Sequence, residues 1–312
     1  MARRELPPAA LVVATAVAAA LPEGDAIVGC SGGADSLALA LGAAWAARRA
    51  GTRIEAVVID HGLQPGSAEV ADGVVARLAA AGVPARAQRV DVRPGADGLE
   101  AAARDARLAA LAEPGLPVLL GHTLDDQAET VLLGLLRGSG TRSLAGMAAV
   151  RGRFHRPLLG LRRADTEAAC RAWRVEWWVD AMNDDPAFAR VRARRALTTL
   201  AAELGRDVAP ALARTARLAR ADADLLDAFA REAARPTPGG ALRVDDLRGL
   251  PDALRWRVLR SWLRAAGLDP AFDGVLSVDA LVTAWRGQGP TSLPGGAVAR
   301  VGGELRVVDP GA

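Results

Sequence analysis

Residues 26–36, Ala-Ile-Val-Gly-Cys-Ser-Gly-Gly-Ala-Asp-Ser, are the stretch that decides the fold. An apolar run typical of a buried strand stops at a Ser-Gly-Gly bend, and a long Ala/Leu-rich helical pattern begins at Ser36. Such a strand–loop–helix junction directs backbone N–H groups and the positive end of a helix at one spot, which suits an anion such as a phosphate. The residues predicted to form this anion-binding loop are Ser31, Gly32, Gly33, Ala34, Asp35 and Ser36.

Asp35 is the unusual residue of this loop, because a carboxylate repels a phosphate unless a cation lies between them. We therefore expect Asp35 to hold Mg²⁺ together with a nucleotide. The loop lacks the Gly-Lys-Ser/Thr ending of a Walker A motif, which excludes an ordinary NTPase loop. Ser36 is also a candidate cap for the helix that follows. A Gly-rich turn with no ligand is the alternative interpretation.

The composition describes a globular chain that is long enough for two domains. Its 312 residues are 51% apolar and carry both charge signs, which excludes a disordered chain. We expect a catalytic domain over residues 1–205 and a smaller domain over residues 206–312. The net charge of +3 does not by itself require a nucleic acid. The two cysteines lie far apart, which indicates neither a disulfide framework nor a metal cluster and agrees with a cytoplasmic location.

Residues 9–21 form an apolar run behind two arginines and superficially resemble a signal peptide. The run is too short to span a membrane, and cleavage after it would leave the strand of the anion-binding loop at the N-terminus. We therefore expect an Ala-rich helix packed on the sheet and no membrane association.

Strand and helix patterns alternate through the first half of the chain. This alternation predicts an α/β fold with a doubly wound parallel sheet and helices on both faces. Ligands of such sheets bind at the carboxyl ends of the strands. The predicted strands are Ala26–Cys30, Ile54–Ile59, Arg86–Val92 and Pro117–Gly121, and the helices between them lie near Ser36–Arg49, Ser67–Ala81 and Glu100–Ala112.

The second half of the chain is predicted to be mainly helical. Three tryptophans at helical spacing are expected in its core rather than in base stacking. A β-hairpin that turns at Gly302-Gly303 is expected to end the chain. The predicted helices lie near 208–233, 251–266 and 275–286, the hairpin covers 291–308, and the tryptophans are Trp256, Trp262 and Trp285.

A second group of polar residues follows the fourth predicted strand and opens a helix. His122 lies at the end of the strand, and Asp125, Asp126 and Glu129 follow at spacings of three and four. On a helix these three carboxylates share one side, where they can hold Mg²⁺ or an ammonium group. The alternative is that acidic residues merely favour the first turn of a helix.

Two groups of arginines contain no acidic residue. Seven arginines lie between Arg137 and Arg163, and a second group comprises Arg190, Arg192, Arg194 and Arg195. Such clusters fit phosphate backbones. A solvated basic face is the alternative interpretation.

The anion-binding loop resembles the pyrophosphate loop of the N-type ATP pyrophosphatases, or PP-loop enzymes. A larger set of motifs, in order over most of residues 25–200, resembles the tRNA(Ile)-lysidine synthetases within that superfamily. Beyond the loop and His122–Thr130, these motifs are Asp60-His-Gly-Leu-Gln-Pro-Gly-Ser67, Leu136-Arg-Gly-Ser-Gly140, Leu144-Ala-Gly-Met147, Arg156-Pro-Leu-Leu159, Trp177–Asp180, Asn183 and Phe188-Ala-Arg-Val-Arg-Ala-Arg194.

The resemblance implies a reaction on the wobble cytidine of a tRNA(Ile) with a CAU anticodon. ATP adenylates the C2 carbonyl oxygen of that cytidine, and the ε-amine of free L-lysine then attacks C2 while AMP leaves. The implied cofactors are ATP and Mg²⁺, and the implied partners are the tRNA and lysine. A homodimer is left open.

The resemblance also implies roles for individual residues. Asp35 holds the metal, and Ser31, Gly32, Gly33, Ala34 and Ser36 bind the ATP phosphates. The strand end at Ile59, Asp60 and His61 faces the adenine. The lysine ammonium is expected at Asp126 and Glu129, with His122 and Asp125 beside them. Arg104 and Arg107 steady negative charge during adenylation, so the expected catalytic residues are Asp35, Arg104, Arg107 and Asp126.

The tRNA phosphates are expected to contact Arg137, Arg190, Arg192 and Arg194. Two departures from the family pattern bear on RNA binding: Leu108 replaces an aromatic residue, and Val191 stands where the family often has Asn. Asp180 and Asn183 are expected to be structural turn residues near the site.

Three other functions remain open at this point. One is a relative that thiolates a tRNA cytidine, although the unpaired Cys30 and Cys170 give no sign of sulfur chemistry. Another is a different PP-loop adenylating ligase acting on a small molecule. The third is a nucleotide-binding module without turnover, which would have no evident need for a second acidic site.

Overall fold

A computed structural model describes residues 6–63, 66–93, 98–138, 140–179 and 185–309. The chain divides into two compact units. The first unit comprises Met1–Arg137 and Gly146–Ala216, and the second comprises Gly138–Ala145 and Arg217–Ala312. The two-domain division at residues 205 and 206 stays a prediction.

The first unit is built on a six-stranded sheet in the order β3-β2-β1-β4-β6-β5. All neighbouring strands pair in parallel except β5 and β6, which are antiparallel. The doubly wound, mostly parallel sheet predicted from the sequence is thereby confirmed. The strands are β1 (Ala26–Cys30), β2 (Ile54–Asp60), β3 (Ala85–Arg89), β4 (Val118–Leu120), β5 (Val150–Arg151) and β6 (Phe154–His155).

Within the described ranges, seven helices and the start of a long eighth one complete the first unit. The first, predicted to pack on the sheet, packs chiefly on the second and on the helix that begins at Arg163. None of the helices in the described ranges has both the length and the apolar character needed to cross a membrane. The helices are α1 (Pro8–Ala19), α2 (Ala34–Ala50), α3 (Ser67–Ala80), α4 (Gly98–Ala112), α5 (Leu124–Leu136), α7 (Arg163–Trp173), α8 (Ala189–Glu203) and α9 (Ala209–Ala233), of which α9 continues into the second unit.

Successive residues of a strand point to opposite faces of the sheet. Neighbouring residues of β1 therefore pack against different helices. Val28 of β1 lies in a core with buried residues of α1, α2, α3 and α7. Ile27, its neighbour, lies in a separate core with Leu111 of α4. At Gly29 an added Cβ would lie 2.9 Å from the Leu111 side chain, so glycine lets α4 approach β1 closely.

The second unit combines helices with a four-stranded antiparallel sheet in the order β7-β10-β9-β8. The predicted hairpin is present as β9 and β10, but it is the centre of a sheet rather than an isolated pair. Trp262 is buried and Trp256 and Trp285 pack against the same core, as predicted. The elements are α6 (Thr141–Leu144), β7 (Leu242–Arg243), α10 (Val244–Arg248), α11 (Asp252–Ala265), α12 (Phe272–Thr283), β8 (Thr291–Leu293), β9 (Gly296–Val301) and β10 (Glu304–Val308).

Candidate active site

The anion-binding loop joins β1 to α2, and its two glycines have different reasons to be glycine. Gly32 has a φ of +86°, and an added Cβ would lie 2.4 Å from Val74. Gly33 precedes the first helical residue, and among the described residues its added Cβ would meet only the Ser31 hydroxyl, at 3.8 Å. A side chain at Gly33 would therefore fill the open side of the loop, where a ligand can approach the backbone.

Ser36 stabilises the loop from inside the first turn of α2. The helix begins at Ala34 with Gly33 as its N-cap, so the prediction that Ser36 starts or caps the helix is wrong. The buried Ser36 hydroxyl accepts a hydrogen bond from the Ser31 backbone N–H at 3.1 Å and donates one to the Gly33 carbonyl at 3.0 Å. These bonds hold the two ends of the loop together.

Gly121 brings the second polar group against the loop. An added Cβ on Gly121 would lie 3.1 Å from the backbone carbon and oxygen of Asp35. Because this contact leaves no room for a side chain, the end of β4 can pass directly beside the first turn of α2. His122 and the start of α5 follow at once, so the two polar groups predicted from the sequence lie together.

The Asp35 carboxylate is contacted by two residues of α7. It accepts a hydrogen bond from the Thr166 hydroxyl and one from Arg163 Nε at 3.4 Å. Burial raises the pKa of Asp35, while the Thr166 and Arg163 contacts oppose the rise. Its side chain keeps 22% of its surface exposed, so a cation can still reach it.

Asp126 serves both the helix and the site. Thr123 is the N-cap of α5, and Asp126 Oδ2 accepts bonds from the Thr123 N–H at 2.8 Å and from its hydroxyl at 3.0 Å. This capping box fixes the carboxylate. Its other oxygen, Oδ1, accepts a bond from Arg163 Nη2 at 3.1 Å.

Arg163 lies among three carboxylates, of which one was predicted to hold Mg²⁺ and two were predicted to bind lysine. Its guanidinium is 3.4 Å from Asp35, 3.1 Å from Asp126 and 3.8 Å from Glu129. The metal candidate and the two lysine-binding candidates are therefore within reach of one positive charge.

Glu129 is the most deeply buried of these acids, with 1% of its surface exposed. Oε1 accepts a hydrogen bond from Arg194 Nε at 2.9 Å, whereas buried Oε2 has no partner among the described residues. Burial raises the pKa of Glu129, and Arg194 opposes the rise. A buried carboxylate oxygen without a donor is a strong place for a cationic ligand.

Asp125 does not join this group, contrary to the expectation that three carboxylates face one cation. Its oxygens accept bonds from Arg162 at 2.7–3.2 Å and from the Arg163 backbone N–H at 2.7 Å. Although burial acts in the opposite direction, these bonds hold the pKa of Asp125 below its usual value. Arg162 also bonds Asp207, so Asp125 anchors the start of α7.

A basic group lies near His122. Arg107 is largely buried, and its Nε has no hydrogen-bond partner in the described part of the chain. Burial lowers the pKa of Arg107, and the neighbouring charges of Arg104 and Arg190 lower it further. Within the described residues none of these three arginines forms an ion pair with a carboxylate. Such a group favours an anionic ligand.

The pKa of both predicted site histidines is lowered, which favours their neutral forms. Burial lowers the pKa of His122 to about 3, and Asp126 opposes this shift. Burial and the charge of Arg107 also lower the pKa of His61. The Nδ1 atom of each ring is buried without a partner among the described residues.

A cavity of about 450 Å³ opens at the carboxyl ends of β2 and β3. His61, one of the residues expected near the adenine, is part of its lining. Ile59 instead packs against the core beneath α4, so its backbone rather than its side chain is available to a ligand. The cavity is lined by His61, Gly62, Leu63, Arg89, Val90, Asp91 and Val92.

The predicted tRNA-binding arginines have different surroundings. Arg137 is exposed after the end of α5, and Arg190 is one of the three arginines of the basic group. Arg192 donates two bonds of 2.7 Å to the carbonyls of Pro186 and Ala187. Arg194 pairs with Glu129, so its charge is used inside the site.

The arginine-rich stretch 137–163 is not a uniform basic face. Arg142 pairs with Asp224 and Asp227, and Arg162 and Arg163 pair with the acids described above. Charge pairing therefore removes part of the basic surface that the sequence suggested. Asp180, Asn183 and Ser139 of the quoted motifs lie outside the described residues.

Sequence reasoning missed Arg163 and Thr166 as contacts of the acidic site. Arg163 was considered only as one of seven arginines, and Thr166 carries no motif signal. The clue that was available is the position of Arg163, which lies four residues after the end of the motif Arg156-Pro-Leu-Leu159.

The residues at the loop fit Mg²⁺ bound with a nucleotide. Mg²⁺ commonly takes one or two carboxylates together with phosphate oxygens rather than an all-protein cage. Asp35 offers a partly exposed carboxylate beside the open side of the loop. Across the described ranges, no group of three or more His, Cys, Asp or Glu residues could hold a metal ion alone, in keeping with that mode of binding.

Comparisons with known proteins agree with this architecture. A family model described as a PP-loop domain matches residues 11–201, and one described as a TilS substrate binding domain matches residues 242–306. A solved U34-tRNA thiolase, NcsA from Methanococcus maripaludis with its [4Fe-4S] cluster, has a TM-score of 0.54 and 15% identity over 68% of this chain and 80% of that one. That likeness shows the fold.

Curated relatives cover nearly the whole chain. The tRNA(Ile)-lysidine synthase of Leifsonia xyli is 51% identical over 89% of this chain and 88% of its own length. The enzyme of the same name from Streptomyces coelicolor is 50% identical over 91% and 85%, and that from Cutibacterium acnes is 46% identical over 98% of each chain. The chain therefore belongs to the tRNA(Ile)-lysidine synthase family of PP-loop enzymes.

Proposed function

We propose that this enzyme joins L-lysine to C2 of the wobble cytidine in a tRNA(Ile) with a CAU anticodon. ATP is consumed and AMP and pyrophosphate are released, so that the cytidine carbonyl oxygen leaves with AMP. The observation that carries the proposal is the position of Asp35, Asp126 and Glu129 around one guanidinium, beside a phosphate-type loop. A nucleotide site and a site for an organic cation thus adjoin.

The loop at Ser31–Ser36 is the proposed site of the ATP phosphates. Its backbone N–H groups and the N-terminus of α2 favour anionic oxygens. Asp35 would hold Mg²⁺, which supplies charge neutralisation for the pyrophosphate leaving group. The cavity beside His61 is the proposed place of the adenine, since it lies at the strand ends next to this loop.

The lysine ammonium is proposed to bind Asp126 and Glu129. Asp126 Oδ1 faces the site because the capping box holds Oδ2. Glu129 Oε2 is buried without a donor among the described residues, and an ammonium group has three N–H donors to offer. His122, being neutral, adds no repulsion to the incoming cation.

The cytidine and its phosphates are proposed to lie against Arg104, Arg107 and Arg190. These guanidiniums have no carboxylate partner in the described ranges, so they are free to stabilise the negative charge of the phosphate oxygens during adenylation. Residues 206–312, which include the match to a substrate binding domain, would contact the rest of the tRNA. The reaction is expected in the cytoplasm, where tRNA, lysine and ATP meet.

Two observations argue against the sulfur-transfer alternative. Burial raises the pKa of Cys170 to about 12 and also raises that of Cys30, so neither thiol is ionised at neutral pH. The sequence holds only these two cysteines, fewer than the three or four that usually ligate an iron–sulfur cluster.

The proposal is tested by measuring the formation of AMP and pyrophosphate from ATP. We expect formation to require both lysine and a CAU-anticodon tRNA, and to fail with cysteine in place of lysine. Asp35→Ala should lower the rate by at least about 100-fold, whereas Asp72→Ala on the exposed face of α3 is the matched control and should not. Turnover supported by cysteine, or a fully active Asp35→Ala variant, would refute the proposal.

A further inference from the structure

We propose that Arg163 is an internal counter-ion that couples nucleotide binding to lysine binding. The inference rests on the proposed function and adds a role for a residue that touches both candidate sites. In this account the guanidinium occupies Asp126 and Glu129 and thereby opposes lysine binding. Mg²⁺ and phosphate then draw the guanidinium away from these two carboxylates.

The contacts of Arg163 connect the two sites directly. Nε lies 3.4 Å from Asp35 Oδ2, and Nη2 lies 3.1 Å from Asp126 Oδ1 and 3.8 Å from Glu129 Oε1. The planar guanidinium can hold several carboxylates at once because its five N–H donors form a fixed fork. One side chain therefore contacts the proposed metal ligand and both proposed lysine ligands.

The backbone of Arg163 is anchored, so only its side chain can change partners. Its backbone N–H donates to Asp125 at 2.7 Å, and Arg162 before it is held by the same carboxylate. The Arg163 side chain is 27% exposed, and its guanidinium makes one contact of ordinary hydrogen-bond length, 3.1 Å to Asp126, and two longer ones of 3.4 Å and 3.8 Å. The start of α7 is thus fixed, whereas the guanidinium is not locked by short bonds.

The charges indicate the direction of the coupling. Lysine brings an ammonium group to Asp126 and Glu129, where it must compete with the positive charge of Arg163. Mg²⁺ at Asp35 takes away one partner of Arg163, and the phosphates beside Asp35 offer the guanidinium a partner that it binds well. Bound nucleotide therefore frees the lysine ligands, and the coupling is positive in both directions.

The test is isothermal titration of the full-length protein with lysine, without tRNA. Titrations are made with and without Mg²⁺ and an ATP analogue that has a methylene bridge between the α and β phosphates. In the unsubstituted protein we expect the nucleotide to tighten lysine binding by on the order of tenfold. In Arg163→Gln we expect tighter lysine binding than in the unsubstituted protein when nucleotide is absent, and little further gain when it is added.

Two further variants separate coupling from damage to the fold. Arg163→Lys keeps the charge and should retain part of the coupling, and tighter lysine binding by Arg163→Gln itself excludes misfolding as the cause of any lost coupling. Arg171→Gln changes an exposed arginine on the same helix, 60% exposed and paired with Glu167, and should leave both titrations unchanged.

The outcomes distinguish this inference from the proposed function. If lysine binds and the effect of nucleotide is the same in Arg163→Gln, or if Arg163→Gln binds lysine more weakly without nucleotide, the coupling role is refuted and the proposed function stands. If the unsubstituted protein binds lysine under neither condition, the lysine assignment fails and this inference fails with it.

Discussion

Replacement of Glu129 by glutamine is the most revealing perturbation of the site. Glu129→Gln keeps the shape of the side chain and leaves an oxygen that can still accept the 2.9 Å bond from Arg194. It removes the negative charge and replaces one of the two buried acceptor oxygens with an NH₂ group, which is a donor. Since the residue is 1% exposed, water cannot replace what is lost.

The expected loss follows from the chemistry of the contact. A buried hydrogen bond to a charged group contributes about 1.5–3 kcal/mol, which corresponds to about a 10- to 150-fold weaker interaction. We therefore expect the KM for lysine to rise by about that factor while the KM for ATP changes by less than about threefold. Steady-state formation of AMP, at varied lysine and then varied ATP, measures both.

A matched control isolates the charge from the substitution. Glu167→Gln makes the same chemical change on α7, at a side chain that is 36% exposed and pairs with Arg171. It should leave both KM values unchanged. If Glu129→Gln left the KM for lysine within about twofold, or raised the two KM values equally, Glu129 would not be a lysine ligand.

Three further predictions concern pH, stability and loop position. Burial raises the pKa of Glu129 above 4.5, so lysine binding should be full above that raised pKa and fall about tenfold per pH unit below it. Arg194→Met removes a charge that opposes the rise and should therefore move this fall to higher pH. A shift to lower pH would contradict the assignment. Asp279→Ala breaks a buried ion pair and should lower the free energy of unfolding, measured in urea, by about 3–5 kcal/mol. Asp245→Ala, at an exposed side chain, should lower it by less than about 1 kcal/mol. Equal losses would refute this prediction. Gly121→Ala forces a shift of the loop by a few tenths of an ångström and should raise the KM for ATP about tenfold; an unchanged KM would show that the loop tolerates the methyl group.

Much of the first unit could be predicted because its signals are local. The strand Ala26–Cys30 is predicted and observed with the same bounds, since an apolar run that ends at Ser-Gly-Gly has few other structures to adopt. The Ser-Gly-Gly bend that follows it is also observed, and Gly32 there adopts a positive φ that glycine allows. The common edge for the two polar groups follows from the rule on strand ends.

The partners of the carboxylates could not be predicted because they are distant in sequence. Arg163 and Thr166 lie 128 and 131 residues from Asp35, and no periodicity connects them. The three-and-four spacing also misled for Asp125. A carboxylate in the first turn of a helix can face a neighbouring N–H group, and here that group belongs to Arg163.

The full sheet of the second unit escaped prediction for a different reason. The two residues of Leu242–Arg243 are too few to show an alternating pattern, and Thr291–Leu293 lies inside the predicted hairpin but forms a strand of its own. They are strands because they pair with the longer β9 and β10, which is a property of the tertiary structure rather than of the segment itself.

The central claim is that ATP drives the transfer of free lysine to a cytidine of tRNA. The most direct measurement incubates the full-length protein with ATP, radiolabelled lysine and a tRNA(Ile) transcript with a CAU anticodon. We predict label in the tRNA that depends on ATP and is absent when uridine replaces the wobble cytidine. A folded enzyme that leaves the CAU transcript unlabelled, or that labels both transcripts equally, would contradict the account.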